Sequence, residues 1–118
     1  MNKRVLIIDD DKELCEELSE ILQADGFDVD YDTDPLEGKA RLAVNFYNVL
    51  ILDFKMPRIS GIDLLKEIQG KVKDMKIFIV SGSLSIEKLL KEQNLSWLVS
   101  GVFVKPLNIK NLLEALKH

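Results

Sequence analysis

Short apolar runs that break off at polar residues, each followed by a stretch of helical periodicity, constrain this chain more than any other feature. The runs are Val5-Leu6-Ile7-Ile8, Val49-Leu50-Ile51-Leu52, Ile77-Phe78-Ile79-Val80 and Val102-Phe103-Val104. Unbroken apolar runs of this length suit strands that are covered on both faces. A further segment alternates Phe27, Val29 and Tyr31 with Asp28, Asp30 and Asp32. That period of two predicts a strand with one buried and one wet face, as at a sheet edge.

Helical patterns fill the intervals. Leu14, Leu18, Ile21 and Leu22 recur at helical spacing before Gly26. Asp34-Pro35-Leu36-Glu37 reads as a helix start, with Asp34 as cap, Pro35 in the first turn and Glu37 three residues after the cap. Ile62, Leu65 and Ile68 mark a third helix, and Ile86, Leu89 and Leu90 a fourth. Asn108 caps a fifth that holds Leu112, Leu113 and Leu116.

Five strands alternating with five helices predict an α/β fold with right-handed crossovers. The arrangement expected is a doubly wound five-stranded parallel sheet, order 2-1-3-4-5, flavodoxin-like, a (βα)5 three-layer sandwich. No linker, repeat or low-complexity stretch interrupts the pattern, so residues 1–118 read as a single domain.

Composition narrows the function classes. Hydrophobic residues make up 47% of the chain, enough for a core, yet no apolar run reaches the ~18 residues of a membrane span. The apolar run after Met1-Asn2-Lys3-Arg4 is too short for a signal peptide. A soluble, cytoplasmic protein with no membrane partner is expected. Cys15 is the single cysteine, which excludes an internal disulfide and a cysteine metal site. Beside Leu14 and Leu18 it reads as a packing residue. A net charge of −4 without a basic, aromatic-rich patch argues against nucleic acid. Residues 1–59 carry 14 acids and 7 bases, whereas residues 60–118 carry 6 acids and 9 bases.

The predicted strand order concentrates acids at one place. Open parallel sheets bind ligands beyond the carboxyl ends of strands, where the strand order reverses. Here the reversal falls between the first strand, followed by Asp9-Asp10-Asp11, and the third, followed by Asp53. Each carboxylate pair at contact distance costs a few kcal/mol at an effective dielectric of ~20. A divalent cation removes that cost. Oxygen ligands without His or Cys point to Mg²⁺ or Mn²⁺. Asp11 reads as a helix start, where acids favour the macrodipole. Asp9 and Asp10, sharing the pocket with Asp53, read as metal ligands.

Two more strand ends feed this edge. The fourth strand is followed by Ser81-Gly82-Ser83 and the fifth by Lys105-Pro106. An anion bound there would be held by the cation, Lys105 and the Ser81 hydroxyl, with Gly82 leaving room for its approach.

In these features the whole chain resembles a receiver domain of two-component response regulators. The resemblance rests on Asp9-Asp10, on Asp53 within D-x-x-M-P-x-x-x-G (Asp53 to Gly61), on Ser81-Gly82 and on Lys105-Pro106, in that order at successive strand ends. It implies that Asp53 is the phosphoacceptor. It implies that Asp9, Asp10, Asp53 and the backbone carbonyl of Lys55 hold Mg²⁺, and that Ser81 and Lys105 bind phosphoryl oxygens. It also implies a cis Lys105-Pro106 bond. The partners implied are a sensor histidine kinase or histidine phosphotransfer protein, and a downstream output domain or target. The output face would be helix four, strand five and helix five, a face that can also form a homodimer. Such a protein catalyses only its own phosphorylation and dephosphorylation, so it is not an enzyme acting on an external metabolite.

The chain departs from the family in places. Many receivers carry a switch aromatic three positions before the lysine; here that position is Val102, and the aromatic is Phe103. A one-residue shift points a strand side chain to the opposite face. The switch is then muted or takes another route. Trp97, in the unusual segment 94–100, is expected to anchor the core, with partner docking as the minor alternative. Lys55 and Ser83 occupy positions that tune acyl phosphate lifetime in the family. Gly61 is expected to supply a backbone geometry that other residues resist. Glu13, Glu16, Glu17 and Glu20 form an acidic helix face without i+4 basic partners, which is a solvated face or, by resemblance, the kinase-docking surface.

Two other functions fit less well. An aspartate-nucleophile phosphatase of the haloacid-dehalogenase type places an acid two residues after the nucleophile, where this chain has Lys55. A phosphorylation-independent binding module usually lacks an acid or the lysine, and this chain keeps both. The chain ends at His118, directly after the last helix, which fits a stand-alone regulator or the receiver of a longer protein.

Overall fold

The apolar runs become the strands of one parallel sheet. The computed structural model describes residues 3–54, 60–70, 74–83 and 85–117. Within them the elements are β1 (Arg4–Ile8), α1 (Lys12–Ala24), β2 (Asp28–Asp32), α2 (Pro35–Val44), β3 (Val49–Asp53), α3 (Gly61–Ile68), β4 (Lys76–Ser81), α4 (Ile86–Glu92), β5 (Gly101–Val104) and α5 (Ile109–Lys117). One 3-10 turn, Ser96–Leu98, lies before β5. The strand order is β2-β1-β3-β4-β5, every pairing is parallel, and the expected topology is met.

Each strand supplies two cores because its side chains alternate between faces. Leu6, Ile8, Leu50, Leu52, Ile77 and Ile79 point to one face, where they pack with Leu64, Leu65 and Ile68 of α3 and with Ile86 and Leu90 of α4. Val5, Ile7, Val49, Ile51, Phe78 and Val80 point to the other, against Cys15, Leu18 and Leu22 of α1 and Leu112 and Leu116 of α5. Burial on both sides thus explains the apolar runs of β1, β3 and β4, whereas the run in β5, at the other edge of the sheet, is only half-buried and Val104 is exposed. Caps fix the helix starts. Asp11 accepts from the Leu14 N–H, Asp34 from the Leu36 N–H, Ser60 from the Asp63 N–H and Asn108 from the Asn111 N–H.

Several expectations need correction. Ile21, read as part of the buried stripe of α1, is exposed; Ser19 takes a buried place beside Leu18 and Leu22. The edge strand is not cleanly divided. Val29 and Tyr31 are only half-buried, while Asp32, on the face expected to be wet, is buried and paired with Arg41 of α2. Asp30 accepts a 2.6 Å hydrogen bond from the hydroxyl of the buried Tyr47, whose ring lies under the Arg4 guanidinium. Burial, followed by the bond to Asp30, pushes the Tyr47 phenol up to about 12.

Trp97 is not a core anchor. It is 69% exposed, because the 3-10 turn carries it outward and its indole N–H donates to the Asn94 carbonyl at 2.8 Å. Leu95, just before it, is buried instead. Gly61 is not at a positive φ. Its need is space: a Cβ there would lie 3.0 Å from the Phe54 Cα, at the turn where the Gly61 N–H donates to the Phe54 carbonyl.

Gly38 marks a close approach of α2 to the sheet. A Cβ there would meet the Ile8 side chain at 2.6 Å. Gly38→Leu raises the helix-forming tendency but adds bulk where none fits. It is expected to lower stability by about 1–3 kcal/mol, read as a reduced urea midpoint at unchanged m-value.

Candidate functional site

Three carboxylates meet at the carboxyl ends of β1 and β3. Asp9 and Asp10 follow β1 directly, and Asp53 is the last residue of β3. One carboxylate oxygen from each lies within 4.8 Å of the others, a spacing able to surround a metal ion. Asp9 and Asp53 are buried and Asp10 is exposed, so the cluster opens to solvent on one side. The donors are all hard oxygens, which fits Mg²⁺ or Mn²⁺. The expected carbonyl ligand Lys55, together with Met56 and Pro57 of the same motif, lies outside the described residues.

Lys105 reaches into the cluster from β5. Its ammonium lies 3.2 Å from Asp9 Oδ2 and 3.5 Å from Asp53 Oδ1. Burial alone would lower the lysine pKa, but the charges of Asp9 and Asp53 outweigh it and hold the ammonium above its ordinary range. Asp9 is raised despite this partner, because burial disfavours its charged form; the Asp11 N–H and Lys105 only partly offset that.

The surroundings hold Asp9 firmly. Its Oδ1 accepts the Asp11 N–H at 2.9 Å, and its carbonyl accepts the Cys15 thiol at 3.3 Å. Asp11 itself caps α1, as its place in the sequence suggests. Cys15 is fully buried beneath the site, and desolvation with the nearby Asp9 and Asp11 charges pushes its thiol up to about 12.

Ser81 ends β4 and is buried, and its hydroxyl oxygen accepts the Ser83 N–H at 3.0 Å. The Ser83 hydroxyl in turn bonds that of Ser85 at 2.8 Å. Gly82 has open space on its Cβ side, room of the kind expected beside a bound anion. The Lys105 N–H donates to the Ser81 carbonyl at 2.8 Å, which extends the β4–β5 ladder and brings the lysine to the serine. The Lys105-Pro106 peptide is cis, as the resemblance implied.

Val102 and Phe103 face opposite ways, as the one-residue shift requires. Val102 pairs with Ile79 and packs on the α3–α4 side. With Leu90, Lys91 and Val99 it lines a shallow cavity of about 360 Å³ between α4 and β5. Phe103 packs on the α1–α5 side, with its ring 5.9 Å from that of Phe78. On α1, Glu13, Glu16, Glu17 and Glu20 are all exposed, and Glu16 does have a partner, Lys12 at 3.8 Å. Sequence reading missed Asp32 and Arg41, whose ion pair lies behind Asp9. The available signal was an acid at the end of the edge strand with an arginine in the helix that follows.

Comparison with known proteins agrees with this geometry. The profile of the response regulator receiver domain matches residues 5–117. A transcriptional regulatory protein CpxR homolog of Haemophilus influenzae is 33% identical over 115 residues, which are 97% of this chain and 48% of that protein. The chain spans about half, or less, of the curated relatives it matches. A CheY-like receiver domain protein of Methanospirillum hungatei superposes with a TM-score of 0.90 at 31% identity, covering 99% of this chain and 92% of its own. TrrA of Thermotoga maritima, solved with Mg²⁺-BeF, superposes at 0.83 with 32% identity, covering 98% and 96%. Among the described residues no helix is long and apolar enough to cross a membrane.

Two outcomes follow from the site's electrostatics. Lys105→Met removes the ammonium that Asp9 and Asp53 share and should cost about 1–2 kcal/mol, less than a fully enclosed pair because the lysine is partly solvated. The lysine pKa is raised, so its contribution is present below the ordinary lysine range and lost as pH rises through the raised value. Parallel urea melts of both proteins at neutral and strongly alkaline pH check the sign. Cys15 should resist a thiol reagent at pH 8 in the folded chain and react at once in urea.

Proposed function

The chain belongs to the response regulator receiver family, and on that premise we propose that Asp53 accepts a phosphoryl group in a metal-dependent reaction that operates a signalling switch. The observation that carries this is the convergence of Asp9, Asp10 and Asp53 on Lys105 at the strand-order reversal. An oxygen of the Asp53 carboxylate attacks the phosphorus of a phosphohistidine. The O–P bond forms as the P–N bond breaks, and the leaving nitrogen keeps the electron pair and takes a proton from water. Asp53 becomes an acyl phosphate, whose later hydrolysis returns the carboxylate and inorganic phosphate.

Phosphoryl transfer depends on positioning and charge neutralisation more than on covalent help from the protein. Asp9, Asp10 and Asp53, with the Lys55 carbonyl, would hold Mg²⁺. When bound, that ion supplies charge neutralisation for the phosphoryl oxygens. Lys105 stands 3.5 Å from Asp53 and would pair with one phosphoryl oxygen. The Ser81 hydroxyl can accept from Ser83 and still donate to another. Pro106 would support the lysine beside the incoming group, and Gly82 leaves space for that group.

The chain would act as a cytoplasmic switch and not as an enzyme on an external substrate. Its donor would be a sensor histidine kinase or a histidine phosphotransfer protein, docking at the exposed acidic face of α1. Phosphorylation would shift an existing equilibrium of the α4–β5–α5 face toward an output domain, a target protein or a second copy. The half-buried Val102 and its cavity give β5 and α4 room to repack.

The test is intact mass after incubation with Mg²⁺ and acetyl phosphate. One added phosphate is expected in the wild type, and none in Asp53→Asn or with EDTA. A wild type that stays unmodified where another receiver is labelled, with hydrolysis slowed by cold, sinks the reading.

A further inference from the structure

Asp9 is held from behind as well as from the pocket. Its main-chain N–H donates to the Asp32 carbonyl at 3.2 Å, one step beyond the Ile8–Asp32 pairing that ends the β1–β2 ladder. Asp32 is only 7% exposed, and both of its carboxylate oxygens are gripped by Arg41 of α2. The guanidinium Nε lies 2.7 Å from Oδ2, and Nη2 lies 3.3 Å from Oδ1. A fork of this kind fixes direction as well as distance. The same guanidinium lies 3.8 Å from Asp30, which also accepts the Tyr47 hydroxyl.

The second hold comes from the same helix. Gly38 of α2 sits against the side chain of Ile8, the residue just before Asp9. One helix thus presses on the residue before Asp9 and grips the residue that receives the Asp9 N–H. β2 is an edge strand, with a neighbour on one side only. Without its guanidinium, a carboxylate this deeply buried would turn toward water and draw the end of the strand with it.

We propose that Arg41 is a positioning residue for the metal site: by fixing Asp32 it fixes the backbone of Asp9, and so the placement of Asp9 and Asp10 relative to Asp53. This rests on the reading of those three acids as a Mg²⁺ site. Arg41 acts through Asp32 and the β1–β2 ladder. Removing a residue that directly supports a metal ligand typically weakens affinity about 10–100-fold. Arg41 stands one step further back, so a smaller effect is expected.

The test is calorimetric titration of Mg²⁺ into the 118-residue chain, with amide hydrogen exchange at Asp9 followed in parallel. Arg41→Met should raise the Mg²⁺ Kd by roughly fivefold and speed exchange at Asp9. Asp32→Asn should do the same, and the double variant should add little. Arg41→Lys keeps the charge without the fork and should fall between. Lys117→Met, which removes the surface pair with Asp25, is the control and should leave the Kd unchanged.

A lower melting temperature with a Kd within about twofold of wild type means a purely structural role and overturns the proposal, whatever the exchange rate. If Arg41→Met does not fold, Arg41→Lys decides on the same criterion. A wild type that never saturates with Mg²⁺ overturns the metal reading itself and this inference with it. That outcome is distinct from saturable binding left unmoved by Arg41.

Discussion

Like charges forced together at a sheet edge are the constraint on which this structure turns. The parallel topology brings the ends of β1 and β3 side by side, and both ends carry acids. Burial makes the charged form of Asp9 costly, and the fold tolerates it through two fixed donors, the Asp11 N–H and the Lys105 ammonium. The Asp32 carbonyl accepts the Asp9 N–H and holds the backbone of the same residue. A core of two apolar faces supplies the rigidity that keeps these donors in place.

The site is therefore assembled from strand ends, each only a residue or two long, while the strands themselves are occupied with packing. Asp53 closes β3, Ser81 closes β4, and Lys105 follows β5. The backbone ladder passes from strand to strand across this edge, from Phe54 to Val80 and from Lys105 to Ser81. Any repacking of β5 against α4 is thus tied mechanically to the residues around Asp53. Val102 faces that helix while Phe103 and Phe78 pair on the opposite side, so the two aromatic rings steady the α1–α5 layer.

Much of this was legible in the residues because burial on both sides writes unbroken apolar runs, and because acids gathered at neighbouring strand ends repel one another unless a cation joins them. The strand order followed from the alternation and from the single strand with period two. Three features were not legible, each for a physical reason. Trp97 looked like core by its size, but a 3-10 turn ties its indole to a local carbonyl and turns it outward. Asp32 looked like a wet residue by its period, but an ion pair nine residues away allows it to be buried. Gly61 looked like a special backbone angle, and proved to be a close approach to Phe54. In each case the deciding partner is local or tertiary, and periodicity carries no information about it.

The central claim is that the phosphoryl group goes to one carboxylate, that of Asp53. The most direct measurement is chemical: treat the chain with Mg²⁺ and a small phosphodonor, reduce with borohydride, and sequence the peptides by mass spectrometry. Borohydride converts an aspartyl phosphate to homoserine and leaves ordinary aspartate intact. The account predicts homoserine at residue 53 and at no other aspartate. Homoserine at Asp9 or Asp10, or a phosphate that survives on a serine, would contradict it.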